Sequence, residues 1–548
     1  MKKNVFPFFI VLTFLLFSSC TKAEKNTNES ENSTDNGTEL SDIDSNNEAV
    51  DKEVEDDLND LYPFDFEEGP YGIEFGDTAG DFTVPLKTGD WNFAKNRSGE
   101  ENYIFIFYRP SNSESTAIWK TDLIKLFDNS PENTNYFFSV DASKETFEER
   151  MGELKENIEN ALQIAGGTGI DKKIHLIAKP AKELNCWLND WLATYSDFFL
   201  GIDRFQKIRK AGMFHSWESS SLDPQFEFVY KEAELYNYEY ELEHFLTSNK
   251  ENALKLSGLN GVEFPEEGWV KDLFFTTDFS SLPEAGNLFI SLEQVCKSQK
   301  SCEWDRLEQL FLCEDESSDT CTTEVGRWIT TYGRSGKWLT EITPLLPLFK
   351  EKKRYKFKFT VTGDQYVNFL DFIFIPDKKG EIASDIIPLF SGTVAFDENY
   401  NNHWEKFETV IPASAEKVVI AAYITGHGNG SEQENCAEFC KFESVFTVND
   451  FPFSKHFSNA GTSRGCFDSV KEGAVPNQYG SWIYGRAGWC PGQDVKPVII
   501  DITKEIKKGE TNVFSYSAFL NGKDYTPVVT NPEGYRAEIP LTSYLVTY

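Results

Sequence analysis

The chain has 548 residues, a formal net charge of −36 and 15% aromatic residues. This length is too great for one hydrophobic core and predicts three or four folded units. The acidic excess argues against nucleic acid as a partner, because neutralising phosphates requires clustered lysine and arginine.

Residues 1–20 have the pattern of an export signal: two lysines, an apolar run too short to cross a bilayer comfortably, and small residues before Cys20. The end of this segment resembles a bacterial lipobox, in which the cysteine is lipidated, although Phe17 leaves plain secretion open. We therefore expect an exported protein: an outer-membrane or cell-surface lipoprotein anchored through a lipid on Cys20, or a secreted or periplasmic protein. Export permits disulfides.

Residues 21–66 are rich in Asn, Ser, Thr, Asp and Glu and predict a disordered acidic tether. Residues 67–250 give strand, strand and amphipathic-helix patterns, then a later strand pair, and resemble a thioredoxin-like or peroxiredoxin-like α/β domain. The redox cysteines of that family would follow the strand YIFIFYRPS, where this chain reads RPSNSESTAIWK. Without a thiolate there is no disulfide exchange, so we expect a structural or partner-binding domain.

Short β-rich runs separated by turn residues follow from about residue 255 onward. This spacing is typical of β-sandwich or jelly-roll domains, and the length of the stretch suggests two of them. We place the first at residues 251–378 and the second at 379–548.

The cysteines concentrate in this C-terminal half, where eight of the nine that follow Cys20 are found, and the isolated Cys186 is the candidate free thiol. The segment NCAEFC places Glu438 between Cys436 and Cys440. A disulfide across so short a ring removes little unfolded-state entropy, so aiming the carboxylate is the better reason for it. A zinc site would need two further ligands, and the six scattered histidines offer no such cluster.

Four segments stand out from the β-rich background: CKSQKSCEWDRLEQLFL (296–312), TEVGRWITTYG (323–333), GHGNGSEQENCAEFC (426–440) and GSWIYGRAGWCPG (480–492). Taken singly, each could be ordinary packing or a structural staple. Together, in this order and at this spacing, they resemble the peptide-N-glycosidase F family over roughly residues 265–548. That family consists of amidases that release N-linked glycans, and it folds as two adjoining eight-stranded jelly rolls with the active site between them.

The resemblance implies that Asp305 is the essential carboxylate, assisted by Glu438, with Arg486 beside the aspartate. Hydrolysis of an amide needs a base for the attacking water and an acid for the leaving amine, which two neighbouring carboxylates can supply. Trp304 and Trp489 would offer flat faces to a sugar ring. Arg306, His427 and Arg486 would complete the substrate-binding set, with Arg486 keeping Asp305 ionised or stabilising the negative charge that develops.

The resemblance further implies that no metal or organic cofactor is required. The expected partners are N-linked glycoproteins or glycopeptides, and we expect the protein to act as a monomer. It also implies the pairs Cys296–Cys302, Cys436–Cys440 and Cys466–Cys490, and leaves Cys313–Cys321 as an additional bridge.

Four positions depart from the family pattern. Val361 stands where the family has a second assisting glutamate, and Gly363 stands where it has a tryptophan; a register slip could bring Asp364 near instead. The family loop G-W-G-H reads Gly426-His427-Gly428-Asn429 here. Retention of Asp305, Glu438 and Arg486 favours an amidase, whereas Val361 favours a catalytically silent glycan-binding or surface-interaction protein. A glycosidase that cleaves between sugars is a third alternative.

Overall fold

The computed structural model describes residues 66–121, 123–165, 170–211, 226–298, 302–363, 365–377 and 381–548. The chain divides into two compact units, residues 1–211 and 212–548. The predicted export signal, the lipidation site Cys20, nearly all of the predicted tether and Asp364 lie outside the described residues. Within the described ranges, no helix combines the length and apolar composition needed to cross a membrane.

The first unit contains a five-stranded mixed sheet in the order β5-β4-β3-β6-β7, together with a separate β1–β2 hairpin. Strands β3, β4 and β5 run parallel, whereas β6 and β7 are antiparallel to their neighbours. Strand β3 is buried along its whole length, which explains its unbroken apolar sequence. The elements are β1 (Thr83–Leu86), β2 (Gly89–Asn92), α1 (Phe93–Asn96), β3 (Asn102–Tyr108), α2 (Ser113–Ile118), α3 (Ile124–Asn129), β4 (Thr134–Val140), α4 (Lys144–Ala165), β5 (Ile174–Leu176), α5 (Trp187–Thr194), β6 (Phe199–Ile202) and β7 (Ile208–Lys210).

The second unit begins, in its described part, with a 22-residue helix, α6 (Glu227–Ser248), followed by a first antiparallel β-sandwich. One sheet has the order β13-β10-β15-β8, and the other has the order β22-β12-β11-β14-β9. The two sheets meet through aromatic rings such as Phe357 and Phe372, whose centroids lie 4.9 Å apart. The strands of this sandwich are β8 (Leu254–Glu263), β9 (Val270–Asp278), β10 (Gly286–Val295), β11 (Leu307–Cys313), β12 (Cys321–Ile329), β13 (Gly336–Glu341), β14 (Arg354–Thr362) and β15 (Val367–Pro376).

A second sandwich follows, with sheets in the orders β16-β25-β18-β23 and β17-β24-β20-β21, and with β19 added to β25. Its Phe390 on β16 packs against Phe446 on β20, so the apolar faces of the two sheets form one core. Its elements are β16 (Asp385–Ala395), β17 (Phe407–Val410), β18 (Val418–Ile424), β19 (His427–Asn429), β20 (Glu443–Val448), β21 (Phe451–His456), α7 (Gly465–Asp468), β23 (Val498–Asp501), β24 (Thr511–Phe519) and β25 (Tyr535–Thr547). Strand β22 (Gln493–Asp494) lies between α7 and β23 in the chain but pairs with β12 of the first sandwich.

The position of helix α6 differs from the expectation that the N-terminal domain extends to residue 250. The helix belongs to the compact unit that contains both sandwiches. Phe245 packs against Phe289 of β10, and Phe228 packs against Phe467 of α7. The helical sequence pattern predicts the element but does not reveal which neighbour covers it, which is why the boundary was misplaced.

A buried ion pair on β12 joins the two sandwiches. A register shift in β12 between Glu324 and Gly326 brings Glu324 and Arg327 to the same side of the strand. Both side chains are almost completely buried, and two guanidinium nitrogens donate to the carboxylate over 2.7 and 2.8 Å. Arg327 also donates to Thr425 Oγ1 and Pro540 O of the second sandwich, while Thr542 donates to Glu324 over 2.6 Å. The interface therefore has fixed polar partners on both sides.

We expect Arg327→Met to lower the free energy of unfolding by about 3–5 kcal/mol, because it leaves Glu324 charged and buried without its partner. Arg354→Met on β14 is the control, since Arg354 pairs with Glu316 at the surface and both side chains are more than half exposed. The control should cost less than about 1 kcal/mol. Denaturant titration of both variants measures the difference, and equal losses would contradict this role for the β12 pair.

Candidate active site

Asp305 lies immediately before β11, in a segment that is fixed at several points. The Cys296–Cys302 disulfide closes the preceding loop, and Gly333 N donates to Cys302 O over 2.6 Å. Thr330 at the end of β12 accepts a hydrogen bond from Arg306 N at 2.7 Å and donates to Trp304 O at 2.6 Å. These bonds bracket Asp305 on both sides and leave its side chain 14% exposed.

Glu438 lies inside the ring closed by the Cys436–Cys440 disulfide, on a loop of the second sandwich. Its backbone carbonyl accepts a hydrogen bond from Ala487 N at 2.9 Å. One carboxylate oxygen accepts from Gly428 N at 3.3 Å. The small ring and these two backbone contacts together fix the direction in which the carboxylate points.

Arg486 connects the two carboxylates. Its Nη2 lies 3.2 Å from Asp305 Oδ2, and its Nε lies 3.0 Å from Glu438 Oε1. The remaining guanidinium hydrogens are directed to Ser481 O, Ser481 Oγ and Tyr484 O at 2.9–3.1 Å. The side chain is completely buried and lies over the ring of Trp489 at 4.8 Å. Arg486 therefore holds one carboxylate from each sandwich in a fixed position.

Both carboxyl groups have raised pKa values. Burial raises the pKa of Glu438, Arg486 opposes that rise, and the negative charge of Asp305 adds to it. The resulting pKa is about 7. Burial also raises the pKa of Asp305 above its ordinary value, but Arg486, the Tyr332 hydroxyl and the more distant Arg306 oppose that rise. The negative charge of Asp305 therefore favours the protonated form of Glu438. One proton therefore remains available on Glu438 close to neutral pH.

Two residues that the sequence analysis assigned to substrate binding are buried. The ring nitrogen of Trp489 donates to Gly426 O at 2.7 Å, and its face stacks on His427 with centroids 4.9 Å apart. Burial, then the charges of Arg327 and Arg486, lowers the pKa of His427 to about 3, so the imidazole is neutral. The Trp489 ring packs against the guanidinium of Arg486, and neither ring offers an open face to a sugar.

The open aromatic faces lie around Arg306. Its guanidinium lies 5.6 Å from the ring centroid of Trp304 and 5.0 Å from that of Trp269. Trp304 is 39% exposed and Trp269 is 63% exposed. On the second sandwich, Tyr535 is 52% exposed, and both Glu438 and Arg306 influence the pKa of its hydroxyl, so it lies near the same site.

Val361 lies in the core of the first sandwich. Strand β14 alternates strictly, and Val361 follows Tyr355, Phe357 and Phe359 on the buried face. Gly363, unlike Val361, lies beside Trp269. Its N–H donates to Trp269 O over 2.7 Å, and a Cβ at Gly363 would lie 3.2 Å from the Trp269 ring. Trp269 therefore covers the position where the family pattern has a tryptophan.

Sequence reasoning missed Tyr332, Ser481 and Trp269. Tyr332 and Ser481 lie inside segments that were singled out, but nothing in a single sequence marks which of their polar groups face Asp305 or Arg486. Trp269 lies in a loop before β9 and carried no motif. The structure forms the four disulfides Cys296–Cys302, Cys313–Cys321, Cys436–Cys440 and Cys466–Cys490, the same pairs that were expected, and leaves Cys186 as a free thiol among the described residues.

Comparison with known proteins gives one consistent result. Residues 396–546 match the protein family described as "Peptide-N-glycosidase F, C terminal". A stretch of 241 residues, 41% of this chain, is 25% identical to peptide-N(4)-(N-acetyl-beta-D-glucosaminyl)asparagine amidase F of Elizabethkingia miricola, and it spans 65% of that protein's length. The second unit is thus similar in sequence to peptide-N-glycosidase F.

Solved structures of similar proteins include PNGase F, described as a glycosylasparaginase from Flavobacterium meningosepticum, with a TM-score of 0.42 and 18% identity over 54% of this chain and 96% of that chain. A structure of PNGF-II has a TM-score of 0.41 and 12% identity over 56% of this chain and 67% of that chain.

We expect Glu438→Gln to gain stability relative to the wild type as the pH rises from about 4.5 to about 7. In this window the native state of the wild type binds more protons at Glu438 than the unfolded state does, so its free energy of unfolding falls with rising pH, whereas a glutamine does not titrate. The relative gain should be on the order of 1–3 kcal/mol. Denaturant titration across this pH range measures it.

The matched control is Glu434→Gln, in the same loop but exposed to solvent. Its stability difference from the wild type should stay constant over the window. A flat profile for Glu438→Gln as well would mean that Glu438 ionises as it does in the unfolded chain.

Proposed function

We propose that the second unit is an amidase that hydrolyses the side-chain amide of glycosylated asparagine in N-glycoproteins or glycopeptides, releasing the glycan and leaving aspartate. The observation that carries the proposal is the bridge made by Arg486 between two buried carboxylates, Asp305 and Glu438, of which Glu438 has a pKa raised to about 7. A base and an acid held a few ångströms apart are what hydrolysis of an unreactive amide requires. The similarity to proteins named as asparagine amidases supports the same reaction.

In this mechanism Asp305 accepts a proton from water while the water oxygen attacks the amide carbonyl carbon of the asparagine side chain. Collapse of the tetrahedral intermediate breaks the carbon–nitrogen bond, and the leaving nitrogen takes a proton from Glu438. The products are an aspartate side chain and a glycan that leaves as its glycosylamine. Arg486 keeps Asp305 ionised and holds both carboxylates in place, and it acts as a positioning residue because its donors are already committed to protein oxygens.

The sugar would bind against the exposed rings beside Asp305. Trp304 and Trp269 lie on either side of Arg306, and an indole face stacks on the C–H face of a sugar ring while a guanidinium can donate to its hydroxyls. Tyr535 of the second sandwich provides a further exposed ring near the site. This arrangement replaces the sequence-based assignment of the buried Trp489 and His427 to sugar contact.

For the first unit we propose a thioredoxin-like domain without redox chemistry. The support is the parallel β3–β4–β5 arrangement flanked by the antiparallel β6 and β7. After β3, Arg109 donates to three backbone carbonyls, Leu192, Tyr195 and Asp197, and the following helix α2 has no cysteine. Export and lipid attachment at Cys20 complete the proposal, on the sequence pattern of residues 1–20.

We expect the full-length protein to convert an N-glycopeptide to an aspartate peptide and an intact glycan, observed by mass spectrometry of both products. Asp305→Asn keeps the shape of the side chain but removes the base, and it should abolish turnover while leaving glycopeptide binding nearly intact. Glu438→Gln should lower the single-turnover rate by roughly 10²–10⁴, the range for loss of a positioned acid–base group.

Asp371→Asn serves as the control for these variants, because Asp371 on β15 pairs with Lys255 at the surface of the first sandwich. It should cleave at the wild-type rate. A peptide that retains one N-acetylglucosamine on asparagine would show cleavage between sugars and defeat the proposal. Wild-type protein that binds the glycopeptide and never cleaves it would establish the glycan-binding alternative.

The Cys436–Cys440 and Cys313–Cys321 disulfides should differ in their effects on catalysis and on stability. Replacing Cys436 and Cys440 by serine should lower kcat about 10- to 100-fold, because Glu438 loses its fixed direction, while the loss of stability should be only about 2 kcal/mol. Replacing Cys313 and Cys321 should lower stability by about 2–3 kcal/mol and leave kcat unchanged. That bridge lies at the far end of β11, about 20 Å of strand away from Asp305.

Parallel measurement of kcat and of the denaturant midpoint for both double variants decides between the two roles. An equal loss of kcat in both would show that the ring around Glu438 acts only through stability.

A further inference from the structure

Helix α6 carries a completely buried carboxylate that the proposed mechanism does not use. Glu232 has no exposed surface, and it forms a two-point ion pair with Arg334 at 2.7 and 3.1 Å. Its Oε1 also accepts a hydrogen bond from Asn477 at 2.8 Å. Burying a charge is costly unless its partners are fixed, so this position has a specific requirement for a carboxylate.

Arg334, the first partner of Glu232, connects helix α6 to the surroundings of Asp305. Arg334 lies two residues after Tyr332, in a turn closed by a hydrogen bond from Arg334 N to Thr331 Oγ1. Arg334 also donates to Pro476 O, so the guanidinium ties the turn to the segment that contains Asn477. The hydroxyl of Tyr332 lies close enough to Asp305 to lower the pKa of that carboxyl. Displacement of this turn would therefore displace a group that lowers the pKa of the proposed base.

Asn477, the second partner of Glu232, connects helix α6 to the segment that holds Arg486. Asn477 is buried, has a left-handed backbone with φ of 51°, and donates from Nδ2 to both Glu232 and the carbonyl of Phe228 on the helix. The next residue, Gln478, accepts from Tyr332 N at 2.7 Å. Three residues further on, Ser481 accepts two of the hydrogen bonds that fix Arg486. The 477–481 segment thus connects the helix to the guanidinium that joins the two carboxylates.

We propose that Glu232 is a positioning residue for the Asp305–Arg486–Glu438 site, acting through Arg334 and Asn477. Helix α6, which precedes both sandwiches in the chain, is then part of the catalytic apparatus. The proposal rests on the proposed amidase function, since positioning is defined by the reaction that the site performs.

The experiment compares full-length Glu232→Gln with wild type in glycopeptide cleavage across pH. We expect kcat to fall about 10- to 100-fold with KM nearly unchanged, because a small misplacement of reacting groups acts on the chemical step. The acid limb of the pH profile should move to higher pH. The charged and titratable groups that face Asp305 are Arg486, Arg306, Tyr332 and Glu438. Of these, Tyr332 belongs to the turn that Arg334 holds. Moving its hydroxyl away from Asp305 removes an interaction that lowers the pKa of the aspartate, so that pKa rises.

The matched control is Glu243→Gln on the same helix. Glu243 pairs with Lys337 of β13, and both side chains are partly exposed. Among the described residues, this pair lies apart from the hydrogen bonds that tie Glu232 to the 330–334 turn and to the 477–481 segment. It should leave kcat and the acid limb at their wild-type values. Equal effects of Glu232→Gln and Glu243→Gln would overturn the proposal. They would show that helix α6 affects turnover only by being held against the sandwiches, and that the contacts of Glu232 have no special role.

A double variant guards against simple misfolding. Glu232→Gln/Arg334→Gln removes both buried charges and avoids leaving the guanidinium unpaired. The defect in kcat and the shifted acid limb should persist in it. Recovery of both to wild-type values would show that Glu232→Gln acted through an unpaired charge alone, and would overturn the positioning role.

Failure of the proposed function is recognised separately. If the wild type leaves the glycopeptide intact, the amidase proposal fails. The pH at which Asp305 ionises, measured by isotope-edited infrared spectroscopy with Asp305→Asn as the blank, then tests Glu232 without turnover. We expect a higher ionisation pH in Glu232→Gln than in wild type, and an unchanged value would refute the link.

Discussion

The rest of the second unit depends on one interaction, in which the buried guanidinium of Arg486 pairs with both Asp305 and Glu438. Two carboxylates placed this close repel one another, and without a cation between them the pKa of one of the two rises strongly. Each local feature near the site serves that contact. The Cys436–Cys440 ring directs Glu438, Thr330 fixes the segment that carries Asp305, and Trp489 with His427 fills the space beneath the guanidinium.

The same contact requires the two sandwiches to meet in one fixed arrangement, since one carboxylate comes from each. The Glu324–Arg327 pair on β12 meets this requirement, because Thr425, Pro540 and Thr542 of the second sandwich complete its hydrogen bonds. An apolar interface of the same area would not specify register in this way, whereas buried polar groups leave unpaired donors when the register slips. Thr425 also hydrogen-bonds His427, so this interface network continues into the aromatic layer under Arg486.

The sequence predicts the parts of this arrangement that depend on local pattern. Alternation of apolar and polar residues marks β14, and the spacing of Cys436 and Cys440 around Glu438 marks a directed carboxylate. It does not reveal which way a loop side chain points. Trp489 was therefore expected to contact sugar although it is buried, and Tyr332 was overlooked although its hydroxyl lowers the pKa of Asp305. Helix α6 was assigned to the wrong unit because its pattern gives no information about which neighbour covers it.

We expect the Asp305–Glu438 pair to retain one proton close to neutral pH and to carry it on Glu438. Isotope-edited infrared spectroscopy of protein with labelled glutamate, with Glu438→Gln as the blank, follows the carboxylic acid stretch of this one side chain directly. We expect the band to persist well above the pH at which an ordinary glutamate ionises and to disappear at about pH 7. Disappearance of the band near pH 4.5, the value of an unperturbed glutamate, would contradict it.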